Sequence, residues 1–133
     1  MEKKELERRT REFALRIVSF VSSLPKAGPA HVLGNQMLRS GTSIGANYRE
    51  ANRASSRVDF IYKINLSEKE AAETEYWLEL ADNAAIGDGS ERAALMLEAR
   101  ELVAIFTRIG KTSKANLKKH LENSKSEIRN SKS

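Results

Sequence analysis

A chain of 133 residues and 14.9 kDa matches one hydrophobic core, because independent domains usually hold about 100–150 residues. With 40% hydrophobic and 31% charged residues it can bury an interior and does not have the composition of a disordered segment. Seven Gly and two Pro are too few for the turns of a many-stranded sandwich or barrel. The absence of Cys excludes disulfides, thiolate zinc sites and cysteine nucleophiles.

A reducing, cytoplasmic setting is expected. No apolar run approaches the roughly 20 residues that cross a bilayer, and Met1–Glu5 is not followed by the apolar stretch of a secretory signal. The sequence is therefore read as neither membrane-spanning nor exported.

The net charge of +5 is unevenly distributed. Residues 1–58 are basic, residues 59–101 strongly acidic, and residues 110–133 alone hold seven Lys/Arg against two Glu. The basic and acidic parts can attract each other within one molecule or between copies, and the cationic tail can condense on a polyanion.

In chain order, the first apolar stripe is Leu6, Phe13, Ile17, Phe20 or Val21, and Leu24, a helical face ending at Pro25. Pro29 can open the second helix, since the N–H that proline lacks has no intrahelical use there. Its stripe is Leu33, Met37, Gly41, Ile44, Tyr48 and Ala51. Gly41 and Gly45 each cost about 1 kcal/mol against Ala in a helix. Ser56 and Asp59 form a cap signal for a third helix with a heptad-like seam of Ile61, Ile64, Ala71, Leu78 and Ala85, small Ser67 and Thr74 lying between. Gly87-Asp88-Gly89-Ser90 breaks it, and Asp88 with Glu91 signals the next cap. The fourth segment carries Leu95, Ala99, Leu102, Phe106 and Ile109, then more weakly Leu117 and Leu121, so its end falls between about 110 and 121.

Short joints force each helix back alongside the last, and the expected fold is all-α, an antiparallel up-down-up-down four-helix bundle. It spans residues 1–116, with helices at about 3–24, 29–53, 57–86 and 89–116. Residues 117–133 form a basic tail that is either a helix extension or frayed.

Catalytic motifs fail on context. Gly41-Thr42-Ser43-Ile44-Gly45 has the G-x-S-x-G pattern of a nucleophile elbow, yet it continues a helical period and does not follow a buried strand. Two glycines four apart instead allow a neighbouring backbone to approach closely. A di-iron site needs Glu three residues before His, and Gly28 and Leu117 occupy those places before His31 and His120. No Gly-Lys-Ser/Thr phosphate cradle occurs, and Asn65-Leu66-Ser67 is a formal glycosylation acceptor lying mid-helix. No cofactor, metal or small-molecule substrate is expected.

Three polar patterns remain. Arg39, Ser43, Asn47 and Glu50 share one face of the second helix, and Glu70, Glu73 and Trp77 one face of the third. These faces either meet, pairing Arg39 with Glu70 or Glu73, or are both solvated. Arg49, Arg53 and Arg57, at steps of four, form a line that is either solvent-facing or a patch for phosphates. Lys111, Lys114, Lys118 and Lys119 extend the set of candidate nucleic-acid contacts.

The run Gln36-Met37-Leu38-Arg39-Ser40-Gly41-Thr42-Ser43-Ile44-Gly45-Ala46-Asn47-Tyr48-Arg49-Glu50-Ala51 resembles the bacterial four helix bundle protein family, whose founding members are encoded by intervening sequences inside large-subunit rRNA genes. The resemblance continues through Asp59-Phe60-Ile61, Lys63-Ile64, Lys69-Glu70-Ala71 and Glu73-Thr74 to Tyr76-Trp77-Leu78, and covers about residues 10–116. It implies a small cytosolic bundle that assembles as a homopentamer without known catalytic activity. Arg39, Ser43, Asn47, Glu50, Glu70 and Glu73 match the family's polar positions, which the resemblance implies form an ordered seam. A distant relative, the accessory variability determinant of diversity-generating retroelements, forms a positively charged pentameric barrel that associates with nucleic acid and a reverse transcriptase. The Lys-rich tail departs from the usual pattern, in which the chain ends soon after the fourth helix. The expected function is thus non-enzymatic: a homo-oligomer binding RNA or a ribonucleoprotein through basic surface, or alternatively a protein-interaction scaffold without a nucleic-acid role.

Overall fold

The computed structural model describes residues 1–132. Four helices, α1 (Lys3–Ser22), α2 (Gly28–Ala51), α3 (Arg57–Asn83) and α4 (Gly89–Lys132), form an antiparallel four-helix bundle, with no strand among the described residues. Two of the three joints carry a side-chain cap, and α2 opens on proline without one. Pro29 lies in the first turn of α2, Ser56 Oγ accepts the Asp59 N–H at 3.0 Å, and the Asp88 carboxylate accepts the Glu91 N–H at 2.9 Å.

The stripes close on one core. Phe13, Ile17, Met37, Ile44, Ile64, Leu78, Leu95, Leu102 and Phe106 are fully buried, each contributing about 1.5–3 kcal/mol of transfer free energy before the entropy of ordering is subtracted. Tyr48 of α2 meets Phe106 of α4 edge to face, with ring centroids 5.4 Å apart. Between α2 and α3 the buried set also includes small hydroxylic residues. Thr74 Oγ1 bonds Ser40 Oγ at 2.8 Å, and Ser67 Oγ donates to the Ile44 carbonyl at 3.0 Å, so close packing leaves no hydroxyl unsatisfied.

Helix α1 lies against α2 across the two glycines. A Cβ on Gly41 would stand 3.0 Å from Ile17 Cγ1, and one on Gly45 would stand 3.0 Å from Thr10 Oγ1. Thr10, which belongs to the α1 stripe although it is polar, is fully buried and satisfies its hydroxyl on the Leu6 carbonyl. The glycine penalty therefore exchanges for a close α1–α2 approach. The other edge of α1 faces α4 through charge: Arg9 Nε donates to Glu98 Oε2 at 2.7 Å, the same guanidinium reaches Glu101, and Arg16 pairs with Glu91 at 3.4 Å.

Helices α1 and α2 each end two residues before the expected positions, and the ends of α3 and α4 differ more. Helix α3 stops at Asn83, not near residue 86, because Ala85 takes a left-handed φ of 55° and Ile86 N–H bonds the Ala81 carbonyl at 2.9 Å, a Schellman closure. Ala85 is accordingly an exposed turn residue and not the last member of the seam. Gly87, at φ 80°, is the position that must be glycine: a Cβ there would lie 2.5 Å from Phe20 Cζ. Arg92 locks this joint, donating to the Ile86 and Gly87 carbonyls and to Asp82. Helix α4 does not end between residues 110 and 121; it runs unbroken past Gly110 to Lys132, so residues 117–132 extend the helix. Ser133, the last residue of the expected tail, lies outside the described residues.

The glycines make opposite predictions. Gly41→Val should lower the free energy of unfolding by about 1–3 kcal/mol through overpacking against Ile17. Gly110→Ala, whose Cβ would meet Asn65 Oδ1 at an ordinary 3.5 Å, should raise it by up to about 1 kcal/mol; urea titration of both variants reads the difference.

The α1–α4 ion pairs predict a pH response. The Arg9 guanidinium holds the Glu98 carboxyl below its ordinary range, so this carboxylate stabilises the fold above its unfolded pKa, and the contribution is lost as pH falls through the lower folded value. Glu98→Gln should be less stable than the parent at neutral pH and converge with it in strong acid, as followed by denaturation at several pH values.

Candidate functional site

The polar faces of α2 and α3 meet. Arg39 lies opposite one turn of α3, its guanidinium 3.2 Å from Glu70 Oε2 and also bonded to Glu73 Oε2. Glu73 Oε2 in turn accepts the Trp77 indole N–H at 3.0 Å, and Trp77 stacks edge to face on exposed Tyr76 with centroids 5.1 Å apart. The four-residue period of α3 puts Glu70, Glu73 and Trp77 on one face, and the joint at 52–56 turns that face towards Arg39.

The remaining seam candidates act within their own turns. Ser43 Oγ donates to the Arg39 carbonyl at 2.6 Å and Asn47 Nδ2 donates to the Ser43 carbonyl at 3.0 Å, while Glu50 accepts from Lys63 of α3 at 3.4 Å. Arg39, Glu70 and Glu73 thus form one cluster, with Glu50 and Lys63 a separate α2–α3 link. Ser43 lies in regular helix with its hydroxyl committed to backbone, so the G-x-S-x-G pattern builds no elbow here. Among the described residues no group of three or more His, Asp or Glu side chains is placed to hold a metal ion.

The arginine line is divided by the end of α2. Arg49 is helical, Arg53 lies in the turn after Ala51, and Arg57 opens α3, so spacing by four ceases to mean one face after residue 51. Arg49 and Arg53 border a hollow of about 280 Å³ with Glu7 and Glu50. Arg49 also borders an adjoining hollow of about 260 Å³ between α1 and α2, with Arg11 and a floor of Ala14, Gly45 and Ala46. Arg57 lines a different hollow of about 450 Å³, where the α2–α3 joint meets Ser113 and Asn116 of α4. Arg11 carries no distinguishing signal in the sequence, because it lies in the α1 charge run, and its place beside the α1–α2 hollow arises only when the helices are packed.

The acidic quarter of the chain is largely neutralised within the molecule. Glu70 and Glu73 are matched by Arg39, Glu75 and Glu79 by Arg100, Asp82 by Arg92, Glu91 by Arg16, and Glu98 and Glu101 by Arg9. Among the described residues Arg49, Arg53, Arg57, Lys111, Lys114, Lys118 and Lys119 form no ion pair, and all are exposed. Free positive charge is therefore found at the arginines around the α2–α3 joint and along the far part of α4, and also singly at Lys3, Lys4, Arg11, Lys26, Lys69 and Arg108.

Residues 2–108 match the family model of the 23S rRNA-intervening sequence protein. The chain belongs to that family. A crystal structure of a protein of unknown function from the S23 ribosomal protein family of Bacteroides thetaiotaomicron VPI-5482 is similar at 39% identity and a TM-score of 0.73, the match covering 84% of this chain and 99% of that one. No curated protein matches the chain. Neither the family description nor the neighbour names a catalytic activity. The intervening-sequence family match stops at residue 108, so the far part of α4 lies beyond it. No helix among the described residues is long and apolar enough to cross a membrane.

The Arg39 cluster predicts coupling. Arg39→Ala should cost about 1 kcal/mol, since Arg39 is half-exposed, and in a double-mutant cycle with Glu73→Gln the costs should be less than additive. Trp77 is the only tryptophan, so its fluorescence should shift in both single variants.

Proposed function

We propose that the protein is a non-enzymatic homo-oligomeric bundle that binds RNA or a ribonucleoprotein through its basic surface. The observation that carries this reading is the partition of charge: most acids of α3 and the start of α4 are taken up by internal pairs, while among the described residues Arg49, Arg53, Arg57, Lys111, Lys114, Lys118, Lys119 and Lys125 have no ion-pair partner. Unpaired guanidinium and ammonium groups on an exposed surface suit phosphate, which they contact without reading base sequence. A homopentamer is the assembly implied by the resemblance to the four helix bundle family, and it would carry +25, five times the charge of one chain. Self-association is further supported by apolar side chains left in solvent, Leu15 and Val18 on α1 and Leu97 on α4. The cytoplasm, where RNA is accessible, is the proposed location.

The same exposed apolar residues favour the second reading, a scaffold for protein partners without a nucleic-acid role. In that case, neutralising Arg49, Arg53 and Arg57 alters assembly mass or partner recovery and leaves RNA retention unchanged.

Gel-shift titration with structured and single-stranded RNA, run beside light scattering, tests the proposal. Retardation at low salt that weakens steeply as salt rises, together with a mass near five times 14.9 kDa, is expected. Absence of any retardation at low salt removes the RNA-binding reading, and a monomeric mass removes the assembly.

A further inference from the structure

Beyond the match to the family, α4 leaves the bundle as a single projecting helix. The α2–α3 joint last flanks it at Ser113 and Asn116, and the following residues are nearly all exposed. At 100° per residue, Lys111, Lys114, Lys118, Lys125 and Arg129, spaced three, four, seven and four apart, fall within an arc of about 60° along roughly 27 Å of helix. All five are exposed and none forms an ion pair among the described residues. Glu122 borders the arc, and Leu117, Leu121 and Ile128 run beside it.

We infer that this part of α4 is an RNA-binding arm, a straight cationic stripe that contacts the phosphodiester backbone and carries much of the binding; the inference rests on the RNA-binding reading above. Three features select the ligand. The stripe is one-sided, as contact with a rod-like polyanion requires, and a duplex presents one charge per about 1.7 Å of axis, dense enough to neutralise all five cations at once. Residues 110–132 contain no Phe, Tyr or Trp, so bases have no stacking platform and recognition is confined to the backbone. The acidic faces of the bundle offer little competition, because most of their carboxylates are already paired.

The test compares three full-length proteins: the parent, a stripe variant with Lys111, Lys114, Lys118, Lys125 and Arg129 changed to Gln, and a control losing five charges elsewhere, with Lys3, Lys4, Lys26, Lys69 and Arg108 changed to Gln. Gln keeps helix propensity, and circular dichroism checks that helicity is retained. Affinity for a single-stranded RNA and for a duplex RNA of equal length is measured between about 50 and 200 mM salt. In the stripe variant the slope of log K against log salt should flatten by about 3.5 for the single strand, while the control changes far less. Whichever RNA arm loses more identifies the form held. Equal flattening in both variants, or an unchanged slope in the stripe variant, overturns the arm while leaving RNA binding by the bundle intact. An unchanged slope with a reduced solution mass overturns it in favour of pairing between copies. If the parent binds neither RNA, the functional reading and the arm fail together.

Discussion

The bundle depends on how closely α1 can approach α2. Its outer seam with α4 carries the Arg9 and Arg16 ion pairs, while the face that rests on Gly41 and Gly45 brings it close against α2. A side chain at either glycine would lift Ile17 or Thr10 away, and Phe13 and Phe20, on the same stripe, would lose their neighbours with them. Two helix-weakening residues are thus retained where they allow dispersion contacts along a whole helix. The motif that looks most like a catalytic signature is the packing surface of this contact.

Close packing of α2 on α3 has a parallel logic with different residues. Ser40, Ser67 and Thr74 are small enough to permit the approach and polar enough to need partners, which they find across or along the helices. At the outer rim of the same interface, Arg39 bridges Glu70 and Glu73. Hydroxyl bonds inside and ion pairs outside fix one register between α2 and α3, which purely aliphatic stripes at helical spacing would leave free to slide by a turn. By consuming acidic groups, the rim pairs also decide which cations remain for anything else.

Helix number, order and faces were legible in the sequence because each follows from local period and caps: Ser56, Asp88 and Pro29 act within one turn of themselves. The meeting of Arg39 with Glu70 and Glu73 was also legible, as one of two alternatives, since both faces adjoin buried stripes. The end of α3 was not, because Ala85 occupies the left-handed position that glycine usually marks, and the nearest glycine, Gly87, is required two residues later for a different reason, contact with Phe20. The arginine line runs from the end of α2 into the joint, so its spacing does not give its geometry. Spacing by four carries meaning only while the helix continues, and Arg53 falls in the turn that separates Arg49 from Arg57. The 450 Å³ hollow lined by Arg57, and the adjoining hollows shared by Arg11, Arg49 and Arg53, are products of tertiary packing with no signature in one segment.

The persistence of α4 beyond the bundle follows from helix thermodynamics. A free helix of this length would have to meet the cost of nucleation, but residues 117–132 grow from a helix already fixed by Leu95, Leu102 and Phe106 and need only propagate. Against that, Lys114 with Lys118 and Lys125 with Arg129 are like-charge pairs one turn apart, each opposing the helix by about 0.2–0.5 kcal/mol. A polyanion lying along the stripe removes this repulsion and adds attraction, whereas a neutral or cationic partner does not. In the proposed complex, the same cations that weaken the projecting helix in isolation would be the ones a phosphate backbone neutralises, so helix and RNA would stabilise each other.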